Sequence, residues 1–303
     1  MTSTSKKQVR SDRARVVAEM RAAEARAERR RRLVLAGAVV AAVAIVVVAL
    51  VSIGLSSGNK SGTAKASSTA SAAVLKDIAG VPAATFDTVG AGTTTGGITK
   101  ISAPALTQDG KPRVLYVGAE YCPYCAAQRW PLTVALARFG TWSTLGQTES
   151  ASQDVFPNTP TLSYHGASYR SDYLSFTGVE TTTNKPTSSG YQPLDTLSAT
   201  DQKLFDTYNK PPYVKGQGGA IPFADLGGRY VSSGASYTPQ LLAGKSHAQI
   251  AAALKDPSSP VAKAVDGTAN VYTAALCTLT GNKPGNVCTS TGVTKAASKL
   301  TGG

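Results

Sequence analysis

The feature that most constrains the fold is a short strand, a Cys-x-x-Cys motif and a helix in immediate succession. The strand is the apolar run Val114–Val117, the motif is Cys122-Pro123-Tyr124-Cys125, and the helix-like segment is Ala126–Phe139. An unbroken apolar run of this kind is typical of a strand that is buried on both faces of a sheet. The succession predicts an α/β domain in which the motif opens a helix directly after a central strand.

Two cysteines at a helix start have the geometry for thiol-disulfide exchange. Free backbone N–H groups and the positive end of the helix dipole favour a thiolate on the first cysteine. Cys122 is therefore predicted to attack a partner disulfide, and Cys125, one turn further along, to resolve the mixed disulfide. Pro123 suits the first helical position, where its missing N–H costs no hydrogen bond. Tyr124 is predicted to shape the lip over which substrates approach.

Other uses of the motif stay open, because Cys-x-x-Cys pairs also occur in zinc knuckles and in local structural disulfides. The two remaining cysteines, Cys277 and Cys288, are spaced too widely for the second pair of a zinc knuckle. They enclose a short loop after a helix end, which favours a structural disulfide over an electron-relay pair. No metal site and no cofactor are predicted.

A second constraint is the segment Leu33–Leu55, which holds no charged residue and is long enough to cross a bilayer as one helix. Arg29–Arg32 precede it and a polar stretch follows, so the positive-inside rule predicts a cytoplasmic N-terminus. The alternative is a cleaved signal peptide with a small-residue site at Ala64-Lys65-Ala66. The long basic head and the long apolar stretch favour an uncleaved anchor. Either interpretation places the main domain outside the cytoplasm, where disulfides persist.

The basic charge of the chain is concentrated before this apolar segment. Residues 1–32 hold eleven Lys or Arg against four acidic residues, a net charge of +7 out of the chain's +13. Such an arm is attracted to the anionic headgroups of a membrane. The distribution favours a topology determinant at the membrane surface and gives no support to a nucleic-acid partner.

The predicted exported part divides by composition. Residues 56–73 are rich in Ser, Gly and Ala and are predicted to form a flexible linker. Residues 74–290 are long enough for one domain with a substantial core. Within them, residues 181–219 are polar and rich in Pro and Gly, and are interpreted as an insertion with one helix at about Thr200–Asn209. Residues 291–303 are predicted to form a tail.

Turn and capping signals predict the remaining elements of the domain. A turn region at His165-Gly166 separates two strands, and a pair of glycines joins a later hairpin. Two helices close the domain, and the capping box Ser246-x-x-Gln249 opens the first of them. The predicted elements are strands Leu162–Tyr164 and Tyr173–Val179, hairpin strands Ile221–Leu226 and Arg229–Val231, and a final helix Val261–Leu279.

Taken together, these residues resemble the thioredoxin superfamily. The shared features are a strand, a Cys-Pro-Tyr-Cys motif on a helix that carries Pro131, and Ile221-Pro222 before a later strand. The resemblance implies a thioredoxin-like mixed sheet flanked by helices. It also implies that Pro222 is the cis-proline that faces the cysteine pair and, together with Ile221, helps to hold the substrate chain. The Cys-Pro-Tyr-Cys tetrad looks like that of glutaredoxins, whereas glutaredoxins have neither the predicted anchor nor the large insertion.

More narrowly, the stretch Gly118–Pro131 resembles a bacterial and archaeal membrane-anchored thioredoxin-like family of unknown function. The ending around Cys277 and Cys288 is similar to the ending of that family. The resemblance extends over about Val74–Cys288. It implies the fold and leaves the substrate open, because the family has no assigned reaction.

The other polar residues near the motif favour ordinary roles. Glu120 is close enough in sequence to accept a proton from Cys125, yet its position favours an exposed loop carboxylate. His165 and His247 are the only histidines, and neither lies in a pattern that suggests a Cys-His hydrolase. Trp130 fits a core position better than a substrate-binding one.

The sequence therefore predicts a single-pass membrane protein with an extracytoplasmic thiol-disulfide oxidoreductase domain. Its expected partners are the thiols and disulfides of exported proteins, or a membrane redox partner. The alternative is a non-catalytic envelope module that uses Cys122 and Cys125 as a structural disulfide or as soft ligands for a metal such as copper. The direction of electron flow stays open, because it depends on the reduction potential of the pair.

Overall fold

The computed structural model describes residues 68–302. The basic arm, the predicted anchor 33–55 and most of the predicted linker lie outside these residues. Among the described residues, no helix is long and apolar enough to cross a membrane. The strands are β1 (Ser68–Thr69), β2 (Ile98–Lys100), β3 (Thr107–Gln108), β4 (Lys111–Gly118), β5 (Gly140–Glu149), β6 (Pro160–Ser171), β7 (Ser175–Glu180), β8 (Thr182–Thr187), β9 (Gly190–Pro193), β10 (Phe223–Leu226), β11 (Tyr230–Ser233) and β12 (Leu300–Gly302).

Eight α-helices accompany the strands in this part of the chain, together with short 3-10 turns at Pro239–Leu242 and Ala297–Lys299. The cysteine motif opens the third helix, and the longest helix is the sixth. In chain order the helices are α1 (Ala72–Ala79), α2 (Ala83–Val89), α3 (Pro123–Ala137), α4 (Ala199–Tyr208), α5 (His247–Ala253), α6 (Pro260–Leu279), α7 (Gly285–Cys288) and α8 (Thr291–Ala296).

The main sheet is mixed, and β4 lies inside it. The hydrogen-bonded order is β12-β2-β11-β10-β4-β3, and β7 pairs with β4 as well. β7 runs parallel to β4, with Val179 opposite Val117. β10 runs antiparallel to β4, with Phe223 opposite Val117. The prediction of a central strand immediately before the cysteine motif is confirmed.

Both faces of β4 are buried, because its side chains alternate between two apolar clusters. Val114 and Tyr116 belong to the larger cluster, to which α3 and α6 contribute many side chains. Leu115 and Val117 belong to the smaller cluster, against which partly buried side chains of α4 pack. This double burial is the physical reason for the unbroken apolar run in the sequence.

The residues between α3 and β7 form most of a second sheet, with strand order β1-β5-β6. Its strand β5 was not predicted, because its Ser, Thr and Gly residues do not alternate with apolar ones. The predicted turn at His165-Gly166 is wrong, since β6 continues through both residues. The predicted insertion contains the expected helix, α4, and also the antiparallel hairpin β8–β9.

The hairpin and the helices predicted near the end of the chain are confirmed. β10 and β11 pair across Gly227 and Gly228, which both have positive φ angles of 66° and 69°. Positive φ angles are sterically unfavourable for residues with a Cβ atom, so glycine at these two positions allows the tight turn. Ser246 and Gln249 form the predicted capping box at the start of α5, and α6 follows the predicted final helix closely.

The two ends of the domain differ from the predicted linker and tail. β1 and the first residues of α1 lie within the predicted linker, and Ser71 caps α1 by accepting a hydrogen bond from the Val74 N–H. At the other end, α8 buries Val293 and Ala296, and β12 pairs in parallel with β2. Backbone pairing and a few small apolar side chains order these segments, and neither leaves a strong signal in the composition.

Candidate functional site

The cysteine motif opens α3 directly after the central strand. Cys122 is the N-cap residue, with extended backbone angles, and Pro123 lies in the first turn. The Cys122 sulfur accepts a hydrogen bond of 3.3 Å from the Cys125 N–H. The thiol thus takes the place of a capping Ser or Asp side chain, and its sulfur lies at the positive end of the helix dipole. Both cysteines are free thiols.

The two thiols differ in burial and in acidity. Cys122 is 6% exposed, whereas Cys125 is fully buried. A hydrogen bond from the Cys125 side chain lowers the pKa of Cys122, and the Cys125 N–H and the charge of Arg129 act in the same direction, against burial. Burial and the hydrogen bond to Cys122 raise the pKa of Cys125 well above its usual range. The result is a thiolate favoured on Cys122 and a thiol favoured on Cys125, which is the asymmetry that their predicted roles require.

A buried ion pair that was not predicted from the sequence lies next to the motif. Arg129, one turn after Cys125 on α3, is fully buried against Glu180 at the end of β7. Arg129 Nε and Nη2 donate hydrogen bonds to the two Glu180 oxygens at 2.8 and 2.5 Å. The signal that points to this pair is a charged residue four positions after the second cysteine, on a helix whose neighbouring residues are mostly apolar.

The same arginine is tied to the loop that carries the motif. Its Nη2 donates a hydrogen bond of 2.7 Å to the Ala119 carbonyl, which also accepts one of 3.2 Å from the Cys122 N–H. The Arg129 charge lowers the pKa of both Cys122 and Cys125, although other effects dominate for each. Among residues 68–302, no atom accepts a hydrogen bond from Arg129 Nη1. The buried guanidinium is therefore the positive charge that acts on the two thiols.

Glu120 is buried, which corrects the expectation of an exposed loop carboxylate. It is 2% exposed, and its N–H donates a hydrogen bond of 2.9 Å to the Thr182 carbonyl in β8. The hairpin of the insertion packs against this loop, a contact between distant segments that local sequence does not reveal. Burial, and to a smaller extent the charge of Glu120, raise the pKa of Glu180 against the effect of Arg129. No group in the described part of the chain donates a hydrogen bond to Glu120 Oε1.

Aromatic side chains surround the motif. Tyr124 is 43% exposed, and its ring meets the ring of Phe156 edge-on at 5.8 Å. Tyr121 stacks on Tyr191 of β9 at 4.2 Å, which fixes the insertion hairpin against the loop before Cys122. Trp130 is fully buried and lies in the core, as its sequence position favours. Tyr124 is therefore the aromatic residue of the motif that is available to a partner.

Pro222 lies beside the C-terminal end of β4. The Ile221–Pro222 peptide bond is cis, as the resemblance implies. Because Phe223 pairs with Val117 in an antiparallel ladder, the preceding residue, Pro222, is level with Gly118. The chain leaves β4 at Gly118 and enters the loop that leads to Cys122. The side chain of Pro222 is buried, and Ile221 is partly exposed.

The second pair of cysteines forms the predicted disulfide. It joins Cys277, near the end of α6, to Cys288, at the end of α7, with a Cα–Cα distance of 5.6 Å. Both residues pack in the larger apolar cluster. Neither cysteine is at a helix N-terminus, where backbone N–H groups would favour a reactive thiolate.

The two histidines hold parts of the fold together. His165 Nδ1 lies 2.7 Å from Asp195 Oδ1. His247 Nε2 lies 2.9 and 2.8 Å from the carbonyl oxygens of Thr148 and Thr161, in β5 and β6. Within residues 68–302, no group of three or more His, Cys, Asp or Glu side chains is arranged to hold a metal ion.

Comparisons with known proteins identify a family and no individual relative. A search of curated proteins and a search of solved structures each returned no match. A family model described as a domain of unknown function, DUF929, matches residues 97–278. The matched region includes β2 to β11, the cysteine motif, the insertion and most of α6. Because the match covers more than half of the 303 residues, the chain belongs to the DUF929 family.

Proposed function

We propose that this protein is a thiol-disulfide oxidoreductase that acts through Cys122 and Cys125. The observation that carries the proposal is the asymmetry of the pair at the start of α3. The pKa of Cys122 is lowered by hydrogen bonds and by a buried cation, whereas burial raises the pKa of Cys125. A thiolate is the reactive nucleophile in disulfide exchange, and a buried thiol one turn away is placed to attack the mixed disulfide.

A thioredoxin-like fold is part of the same proposal. Its support is the order of the elements around the motif. The strand β4 leads into Cys122 and α3, β7 lies parallel to β4, and a cis Pro222 precedes the antiparallel β10. In this proposal Ile221 and Pro222 contact the substrate chain across from Cys122, and Tyr124 contacts it from the helix side.

The proposed reaction transfers two electrons in two exchange steps. The Cys122 thiolate attacks one sulfur of a substrate disulfide, a Cys122–substrate bond forms, and the other substrate sulfur leaves as a thiolate that takes up a proton. Cys125 then gives up its proton and attacks the Cys122 sulfur. The Cys122–Cys125 disulfide forms, and the second substrate sulfur leaves and is protonated. The substrate is reduced and the pair is oxidised, while the reverse sequence oxidises a substrate dithiol.

The proposed setting is the outer side of a membrane. The uncharged segment 33–55 and the basic arm before it support a single-pass anchor with a cytoplasmic N-terminus. The Cys277–Cys288 disulfide is the kind of bond that persists in an oxidising compartment. Partners of the pair are then the thiols or disulfides of exported proteins, or a membrane redox protein that resets the pair.

The proposal is tested with the full chain in detergent and in cells. Wild-type protein should exchange with a disulfide-linked fluorescent peptide, and Cys122→Ser should abolish the exchange. Cys125→Ser should trap mixed disulfides that appear on non-reducing gels and vanish on reduction. The double variant Cys122→Ser/Cys125→Ser is the matched control and should trap nothing. Absence of exchange by the wild type, together with no adduct of Cys125→Ser, would contradict the proposal and leave a non-catalytic role for the pair.

A further inference from the structure

Two large apolar side chains are exposed in the described part of the chain, Tyr124 in the cysteine motif and Val155 in the loop between β5 and β6. Val155 is 67% exposed and Tyr124 is 43% exposed. Phe156 joins them, because it follows Val155 and its ring meets the Tyr124 ring at 5.8 Å. We call Tyr124, Val155 and Phe156 the apolar rim. Exposed apolar side chains that form a contiguous patch mark a contact surface, whereas single scattered ones are ordinary.

The loop that carries Val155 and Phe156 is fixed by hydrogen bonds between its two ends. Ser150 N–H donates to the Thr159 carbonyl at 3.0 Å, and Thr159 N–H donates to Ser150 Oγ at 2.9 Å. Ser150 Oγ in turn donates to the Phe156 carbonyl at 2.8 Å. The side chains of the rim are therefore presented on an ordered loop, and a partner would not have to order it on binding.

The loop is also fastened to the segment that leads into the motif. Ala151 N–H donates a hydrogen bond of 2.9 Å to the carbonyl of Tyr121, the residue before Cys122. Tyr124 belongs to the first turn of α3. The loop that carries Val155 and Phe156 is thus fastened to the backbone that leads into Cys122. A partner that reaches Cys122 comes close to Tyr124, two residues along the chain, whose ring Phe156 contacts.

The recessed position of the thiol indicates what occupies the rim. Cys122 is only 6% exposed. A partner disulfide therefore reaches the Cys122 sulfur only by lying close against the start of α3. A substrate cysteine in a polypeptide brings its neighbouring side chains with it, and these would meet the rim. A small disulfide without flanking residues would leave the rim exposed to water, with no gain from burying it.

We infer that the apolar rim binds an aliphatic or aromatic side chain next to the reacting cysteine of an extended polypeptide substrate. The inference rests on the proposed exchange reaction and names its substrate class. Apolar residues beside a cysteine are accessible in unfolded or incompletely folded chains, because folded proteins bury most of them. The substrates are therefore polypeptides that have not completed folding, with an apolar residue beside the cysteine.

The test compares two disulfide-linked peptides that differ only in the residue next to cysteine, Leu in one and Ser in the other. With the full chain in detergent, kcat/KM for exchange should favour the Leu peptide by roughly tenfold, a size typical of one apolar contact in a binding site. Val155→Ser should reduce that preference towards one. Gln153→Ser, at an exposed position of the same loop, is the matched control and should keep the wild-type preference.

The outcomes separate the inference about the rim from the proposed function. Loss of the preference in Val155→Ser but not in Gln153→Ser supports the inference. Equal rates for both peptides with the wild type, or a preference that Val155→Ser leaves intact, overturns it. Exchange with a small aromatic disulfide is measured in parallel. If the wild type reacts with the small disulfide but shows no preference between the two peptides, the inferred role of the rim is wrong and the proposed function stands. If it reacts with no disulfide, the proposed function is wrong as well.

Discussion

At the scale of single residues, one buried charge, that of Arg129, acts on both thiols of the site. The Arg129 guanidinium is a positive charge that lowers the pKa of both thiols. Its ion pair with Glu180 offsets the free-energy cost of burying that charge. An isolated buried ion is costly, and removing one partner of a buried pair leaves the other without compensation. Arg129 therefore has two separable effects, one on the stability of the fold and one on the acidity of Cys122.

We predict that Arg129→Met lowers the free energy of unfolding by about 3–5 kcal/mol, because it leaves the Glu180 carboxylate buried without its charged partner. The double variant Arg129→Met/Glu180→Gln removes both charges and should recover much of that loss. Both variants lack the cation, so the pKa of Cys122 should rise in both, and alkylation of Cys122 at neutral pH should slow. Denaturant unfolding and the pH dependence of alkylation measure the two effects.

Arg129→Lys is the conservative control for the same experiment. It keeps the positive charge and should hold the pKa of Cys122 closer to that of the wild type than Arg129→Met does. Alkylation profiles that coincide for the wild type and Arg129→Met would show that the guanidinium has no influence on the thiolate.

At the scale of secondary-structure elements, the second cysteine pair fastens the end of the chain to α6. The disulfide joins Cys277 and Cys288, which are 11 positions apart in the sequence, and connects α6 to α7. Beyond α7, α8 packs on α6, and β12 completes the edge of the main sheet beside β2. A bridge at this point restricts the unfolded chain and holds the elements that close the domain.

We predict that Cys277→Ser/Cys288→Ser lowers the free energy of unfolding by about 2–4 kcal/mol, the usual effect of a disulfide that closes a short loop. The exchange rate at Cys122, measured where the variant is still folded, should equal that of the wild type. Thermal unfolding and the peptide-exchange assay measure the two quantities. A large loss of multiple-turnover exchange with an unchanged first turnover would instead identify this pair as an electron relay.

At the scale of the whole molecule, the charge distribution and the apolar segment predict how the chain lies across a membrane. The arm of residues 1–32 carries a net charge of +7, and the segment 33–55 carries none. Positive charge next to a spanning segment stays on the cytoplasmic side. The redox pair would then face the opposite compartment, where the proposed substrates are.

We predict that a membrane-impermeant maleimide labels a cysteine introduced outside the membrane in intact cells. In a background of Cys122→Ser/Cys125→Ser, Ser298→Cys provides an exposed position in the folded domain. Ser5→Cys, in the basic arm, is the matched control and should be labelled only after lysis. The reverse pattern, or equal labelling before lysis, would contradict the predicted orientation.

The local features of the fold were predictable because each depends on neighbouring residues. The run Val114–Val117 indicated a strand buried on both faces, Cys122 and Pro123 indicated a helix start, and Ser246 with Gln249 indicated a capping box. The resemblance pointed further, to the cis bond before Pro222. The strand, the helix start and the capping box are each specified by hydrophobic pattern, capping chemistry or backbone preference within a few residues, whereas the cis bond was implied by the resemblance alone.

From the sequence alone it was possible to place the motif after a central strand, to favour the Cys277–Cys288 disulfide and to predict an anchor at residues 33–55. Only the folded chain shows which residues surround the thiols. Glu120 is buried because a distant hairpin packs on its loop. Arg129 of α3 pairs with Glu180 of β7, and Phe156 of the β5–β6 loop contacts Tyr124 of the motif. Local preference is encoded by adjacent residues, whereas burial and pairing arise from contacts between segments that only the complete fold brings together.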